Sequence, residues 1–259
     1  MPSALITGAA KGIGKAIAGE LAGRHYDLFL VDKDEPELSR TAQQLERQYG
    51  IFTYSLPLDL AQAGVAETIR SWYSQFRNDL EVVVNNAGFG LNGAFEQIPI
   101  GEQLELINVN IKAIVEISYA FIPILKQQPK AYLLNVGSTT AYQTVPYVSI
   151  YAASKAFVVS FTRGLRHELR RSNVSVSCLS PGSTDTDFVN RARMGESIKK
   201  TAAKVHMSPQ TVAQAAVRGL FKGESEIIPG FLNQVGAFLP RVMPKAFVEK
   251  VVGEIYEPK

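Results

Sequence analysis

Ser3-Ala-Leu-Ile-Thr7-Gly8-Ala-Ala-Lys11-Gly12-Ile13-Gly14 is the stretch on which the fold turns. Its first five residues have the apolar, β-branched character of a buried strand. Three glycines follow, and residues 12–24 then take up a helical pattern of apolar positions. Strand, glycine turn and helix in that order form a phosphate-binding unit. Glycines let the backbone turn tightly and approach a ligand, and the helix start offers free N–H groups and a positive dipole end. The spacing is G-x-x-x-G-x-G rather than the G-x-G-x-x-G of the common dinucleotide fingerprint.

Outward from this unit the pattern repeats. Strands are expected at 3–7, 27–32, 52–56, 81–86, 131–137, 174–180 and 225–228. Helices are expected near 12–24, 35–49, 61–76, 101–127, 150–171 and 208–222. Near-continuous apolar strands alternating with helices predict an α/β fold with one doubly wound parallel sheet of about seven strands, covered by helices on both faces. No internal repeat or long linker interrupts it, so residues 1–259 read as a single domain. Two segments leave the alternation. Residues 183–207 follow the sixth strand without a strong period and read as a substrate lid. Residues 230–256 form a C-terminal amphipathic extension with Phe231, Val235, Phe238, Leu239 and Val242 in one set. Phe247, Val248, Val251, Val252 and Ile255 make the second, beyond Pro240 and Pro244. Packing against the body or a subunit neighbour is the first expectation for it, and a cap over the pocket the second. Arg241, Lys245 and Lys250 also suit attachment to a membrane surface.

Composition narrows the function. At 46% hydrophobic and 20% charged, the chain can bury a large core without staples. A net charge of +3 with no basic block argues against nucleic acid. The single cysteine, Cys178, reads as a reduced core thiol. His25, His167 and His206 have no metal-ligand spacing, so no metal is expected. The start of the chain reads as strand rather than as a targeting peptide, and no apolar run of span length is evident, so a cytoplasmic protein is expected.

The cofactor's identity hangs on Asp32, which ends the second strand 18 residues past Gly14. An acid there accepts hydrogen bonds from a ribose and repels a 2′-phosphate, which favours NAD over NADP. Lys11 and Lys33 could each reach a 2′-phosphate and keep NADP open. Asp59, next to Leu60 after the third strand, could bond an adenine amino group or cap the helix expected at 61–76.

Tyr151 and Lys155 lie one helical turn apart in Tyr-Ala-Ala-Ser-Lys. An ammonium beside a phenol favours the phenolate, lowers its pKa and makes an acid/base device. With Thr7 to Gly14, Asn85-Asn86-Ala87-Gly88, Ser138, Asn110 in Asn108-Val-Asn110, and Pro181-Gly182, the pair completes a series that resembles the short-chain dehydrogenase/reductase family over nearly the whole chain. The resemblance implies a Rossmann-type fold, hydride transfer with NAD or NADP, and a tetrad of Asn110, Ser138, Tyr151 and Lys155. In that pattern Tyr151 gives and takes the proton. Lys155 tunes Tyr151 and holds the nicotinamide ribose, Ser138 orients the substrate oxygen, and Asn110 holds a water. Asn108 is the alternative asparagine; Asn110 is favoured because it directly precedes a helical run. By the same resemblance Gly8, Gly12, Ile13, Gly14, Leu60, Asn86, Ala87, Gly88, Pro181, Gly182, Thr184 and Thr186 contact the cofactor. The resemblance also implies a homodimer or homotetramer through the helices at 101–127 and 150–171.

Position after strand ends nominates Phe89, Leu91, Phe95, Tyr142, Val145, Tyr147, Phe188, Val189 and Met194 as pocket residues. Their apolar character favours a hydrophobic ketone, aldehyde or secondary alcohol as the small-molecule partner. The alternative is a cofactor-binding sensor or scaffold without turnover. The intact Tyr151–Lys155 pair argues for the enzyme.

Overall fold

The computed structural model describes residues 1–184, 192 and 207–257. Seven strands make one sheet: β1 (Ser3–Thr7), β2 (Asp27–Asp32), β3 (Thr53–Pro57), β4 (Leu80–Asn85), β5 (Ala131–Val136), β6 (Val174–Leu179) and β7 (Glu226–Ile227). Their order is β3-β2-β1-β4-β5-β6-β7, and every pairing is parallel. The strand order therefore reverses between β1 and β4, and a crevice opens there at the carboxyl ends. Each expected strand is present within a residue or two of its expected ends.

Alternation along the strands divides the core. Ala4, Ile6, Leu28 and Leu30 face one side, packed with α1 (Gly12–Ala22), α2 (Glu35–Tyr49) and α7 (Pro209–Lys222). Leu5, Phe29, Val31 and Val83 face the other, against α3 (Val65–Ser74) and α5 (Ala113–Leu125). Phe29 anchors that side, stacked on Tyr54 at 4.5 Å and edge-on to Tyr73 at 4.7 Å. Local chemistry sets the helix ends. Asp34 caps α2 by accepting from Glu37 N, and Gly50 stops it in a left-handed turn. Ser208 caps α7 ahead of Pro209.

Three helical expectations need correction. The helix expected at 61–76 begins only at Val65, behind a left-handed Gly64, so Asp59 does not cap it. Asp59 Oδ1 instead accepts from Ala61 N at 3.0 Å. The helix expected at 101–127 is α4 (Ile100–Ile107) and α5 joined by a π turn over Asn108–Lys112. The extra residue in that turn rotates Asn110 into the interior, where it is fully buried. Third, Ile100–Leu125 is long and apolar enough to cross a membrane by length and composition, although no such run is evident in the sequence read alone. Its inner face packs on the sheet through Ala113, Ile117 and Phe121, and Ser118 Oγ bonds Asn85. The opposite face is exposed at Ile100, Leu104 and Tyr119.

The C-terminal extension forms α8 (Phe231–Phe238), a short 3₁₀ turn and α9 (Lys245–Tyr256). Val248 and Val252 are buried, whereas Phe231, Phe238, Val242 and Phe247 are exposed. Ala237 of α8 is buried as well, so each helix sets an edge against the body.

Candidate active site

At the crevice, the glycine turn is clamped to the end of β4. Asn86 Nδ2 donates to Thr7 O and Gly8 O, each at 3.0 Å, and Thr7 Oγ1 accepts from Asn86 N and Ala87 N. Gly8 and Gly12 hold positive φ. A Cβ at Gly8 would stand 2.7 Å from Asn86 Nδ2. Lys11 at the N-cap makes no side-chain cap bond, and Gly12 and Ile13 at the helix start line the cavity. That cradle, with bare glycines and an uncapped helix start, fits a dinucleotide pyrophosphate.

A cavity of about 670 Å³ runs from this turn past Asp32, Lys33, Asp59 and Leu60, over Ala87, Gly88 and Phe89, to Ser138, Tyr151, Lys155, Pro181, Gly182 and Thr184. It brings together most of the residues named from sequence. Asp32 is locked at the far end, accepting from Ala10 N and Asp34 N at 3.0 Å each. Both basic residues nearby are engaged. Lys11 pairs with Asp34 at 2.6 Å, while Lys33 lies 3.7 Å from Asp59 and 3.4 Å from Glu105. Asp34 also lines the cavity.

At the near end α6 (Ser149–Glu168) presents Tyr151 and Lys155, both buried. The Tyr151 hydroxyl hydrogen-bonds Ser138, whose Oγ also accepts from Thr140 N. Lys155 Nζ donates to Val136 O at 2.9 Å and sits 5.8 Å from the Tyr151 ring centre. Asn110 Oδ1 accepts from Phe89 N, and its Nδ2 donates to Phe89 O and Ser154 Oγ. Ser154 Oγ donates in turn to Tyr151 O at 2.7 Å. Gly88 is where the backbone comes closest to the group: a Cβ there would lie 3.0 Å from Asn110 Oδ1 and 3.2 Å from Lys155 Nζ. Of the two asparagines, Asn110 is the one at the centre.

Electrostatics reverse one expectation. Burial pushes Tyr151 up to about 12, only partly offset by the Ser138 hydrogen bond. Burial also pulls Lys155 down to about 8. Desolvation disfavours both charges and sets the direction of both shifts in the protein alone.

Several nominated residues lie elsewhere. The Tyr142 hydroxyl turns to the β6–β7 edge and bonds Ser180 Oγ and Glu226. Tyr147 and Phe95 line a separate cavity of about 390 Å³, with Tyr147 in a left-handed backbone (φ 63°). Leu91 and Val145 pack behind Tyr151. Thr184 Oγ1 donates to Gly182 O at 3.1 Å. Thr186, Phe188, Val189, Met194 and most of the expected lid lie outside the described residues. Sequence reasoning also missed three participants. Ser154 stands inside the Tyr-Ala-Ala-Ser-Lys run at i+3 from Tyr151, so helical spacing could have found it. Asp34 is two residues past the ribose acid. Tyr256 reaches the cavity from the far end of the chain, with no local signal.

Known proteins share the family and the fold. A family model described as short chain dehydrogenase matches residues 2–197. An uncharacterized oxidoreductase of Staphylococcus epidermidis is 29% identical over 217 residues, covering 84% of this chain and 90% of that one. A very-long-chain 3-oxoacyl-CoA reductase of Laccaria bicolor is 30% identical over 179 residues, or 68% of this chain and 53% of the relative. Among solved structures, a short-chain dehydrogenase from Sphingobium yanoikuyae in complex with NADPH aligns with a TM-score of 0.82 at 28% identity. The alignment covers 95% of this chain and 98% of that one.

Proposed function

The chain belongs to the short-chain dehydrogenase/reductase family, a nicotinamide-dependent oxidoreductase by that membership; from this premise we propose that it interconverts a hydrophobic ketone or aldehyde and its alcohol, with Tyr151 as general acid and base. The observation that carries the reading is the convergence of Ser138, Tyr151 and Lys155 at one end of a cavity whose other end is the uncapped glycine turn. The cofactor, when bound, supplies or accepts the hydride. Gly8, Gly12, Ile13 and Gly14 would hold its phosphates, Asp32 its adenosine ribose and Lys155 its nicotinamide ribose. Asn86 keeps the glycine turn in place for it. Ser138 and Tyr151 then donate to a carbonyl oxygen, where preorganised donors stabilise the charge that develops. A phenol that is fully protonated at neutral pH suits the reducing direction, in which it gives a proton.

For the nucleotide we favour NAD. The Asp32 carboxylate is fixed by two main-chain amides, and Lys11 and Lys33 are already paired with carboxylates. The cavity's Phe89, Val109 and Val148 support an apolar substrate. The fungal relative, by its name, acts on a carbonyl carrying a long acyl chain.

One kinetic series tests both points: turnover of apolar ketones and of small charged keto acids, with NADH and with NADPH. We expect higher kcat/KM for apolar ketones and for NADH. Asp32→Ser should move the cofactor ratio toward NADPH by about tenfold or more, as expected for removing a nearby like charge. A strong NADPH preference in the parent, unchanged by Asp32→Ser, would sink the NAD reading.

We further propose a homo-oligomer through the outer faces of α4, α5 and α6. Ile100, Leu104, Tyr119 and Phe157 are exposed there, and Phe157 stacks on Phe161 at 5.7 Å. Light scattering should give a dimer or tetramer, and Phe157→Glu should shift it toward monomer. A parent that is monomeric at all accessible concentrations refutes this.

A further inference from the structure

Tyr256 is the last residue of α9, far from Tyr151 in sequence, yet it lines the same cavity as Ser138, Tyr151 and Lys155. It packs in one apolar cluster with Leu91, Val145, Val148 and Tyr151 itself. Its backbone carbonyl is anchored by Asn92. Asn92 Nδ2 donates to Tyr256 O at 3.1 Å and to Tyr147 O at 3.3 Å, and Asn92 N donates to Ala192 O at 2.9 Å. The next residue, Glu257, accepts from the Tyr147 hydroxyl at 3.3 Å. At Gly253, α9 lies against the loop before α6, within van der Waals reach of Pro146. Buried Val248 and Val252 fasten the same edge.

The anchoring has a chemical consequence. A helix end held at its carbonyl by Asn92 and packed into the apolar cluster places a large, stiff ring at the cavity wall at low entropic cost. The carbonyl oxygen must sit against Ser138 and Tyr151, so the substituents on the carbonyl carbon must share the remaining space with the Tyr256 ring. We propose that Tyr256 is a specificity-determining residue, which limits the smaller substituent of a ketone substrate to a group far below a ring in size. The proposal rests on the reading of Tyr151 as the proton donor, and it gives the exposed C-terminal extension a task at the reaction centre.

The test compares acetophenone, which carries a methyl group and one ring, with benzophenone, which carries two rings. Turnover is measured for the parent, Tyr256→Ala, Tyr256→Phe and Asn92→Ala. Thermal shifts induced by each ketone are measured in parallel with the nicotinamide nucleotide bound. Tyr256→Ala should raise the benzophenone-to-acetophenone ratio of kcat/KM by about tenfold or more, the scale on which a pocket discriminates by size. It should also gain a benzophenone-induced rise in Tm that the parent lacks. Tyr256→Phe, which keeps the ring, should keep the parental ratio. Asn92→Ala, which frees the anchor, should move the ratio in the same direction by less. A Tyr256→Ala protein that shows the parental nucleotide-induced Tm rise, an unchanged ratio and no benzophenone shift overturns the proposal. If neither ketone is turned over, the thermal shifts alone decide. Failure of the Tyr151 reading shows separately, as a Tyr151→Phe enzyme that stays active while the Tyr256→Ala ratio still shifts.

Discussion

Tyr151→Phe should lower turnover by about 10²–10⁴-fold while leaving nicotinamide-nucleotide affinity close to that of the parent. The substitution removes one oxygen. The ring keeps its packing against Leu91, Val145 and Val148, and the α6 backbone keeps the Ser154 bond to residue 151 O. Among the described residues the glycine turn is clamped by Asn86 on Thr7 and Gly8, not by the phenol. Loss of rate with retained binding therefore isolates proton transfer. The hydroxyl hydrogen-bonds Ser138 in a buried setting and is held near 12, so it remains a proton donor across the neutral range. The pH dependence carries a further sign. Lys155 is drawn down to about 8 and holds its ammonium below that value. Support for phenolate formation should fade as pH rises through it, first in the alcohol-oxidising direction, where Tyr151 must accept a proton. Steady-state rates in both directions, with cofactor binding followed by fluorescence, check this. A Tyr151→Phe enzyme with most of its turnover would refute the mechanism.

The parts of this site that were legible in the sequence are those whose geometry is local. Thr7 to Gly14 carries its own turn, Asp32 its own strand end, and Tyr151 with Lys155 its own helical spacing. Alternation of apolar strands and amphipathic helices sufficed for the sheet, because a strand buried on both faces can hardly be written otherwise. Asn110 shows where local reading ends. Residues 101–127 look like one helix because their apolar pattern runs on, and only packing against the sheet selects the π turn that rotates Asn110 inward. Tyr142 and Tyr147 failed for a related reason. Following a strand places a residue at the right edge of the sheet, but backbone direction decides where its ring goes. A left-handed Tyr147 and the Ser180–Glu226 partners of Tyr142 are set by distant chain. Depth of burial is equally non-local. The sequence put Lys155 beside Tyr151, and only the fold shows how deeply both are buried, which raises the phenol through desolvation.

Gly14→Ala should be the most damaging single-methyl change at the cofactor end. The glycine lies in α1 at the point where the helix crosses the turn that precedes it. A Cβ there would stand 2.1 Å from Gly8 O and 2.4 Å from Asn86 Nδ2. Both neighbours are fixed. Gly8 O is itself the acceptor of the Asn86 Nδ2 bond, and Gly8 sits at φ 66°, where another side chain would be strained. Asn86 cannot retreat without giving up Thr7 O as well. Unlike a clash with the free end of a long side chain, this one forces backbone apart, so α1 must tilt or the turn must open. Overpacking of a tight site costs about 1–3 kcal/mol and more where backbone is the obstacle. A displaced helix start also withdraws its N–H groups from the phosphates. We therefore expect Gly14→Ala to lower Tm by several degrees and nucleotide affinity by at least about tenfold. Gly19→Ala lies in the same helix, where a Cβ meets only Leu45 Cδ2 at 3.9 Å, and is the control. It should be neutral or mildly stabilising, since alanine favours a helix interior by about 1 kcal/mol over glycine. Thermal melts and nucleotide titrations of the two variants give the answer. Equal behaviour at positions 14 and 19 would show that the close crossing of α1 over the turn does not govern cofactor binding.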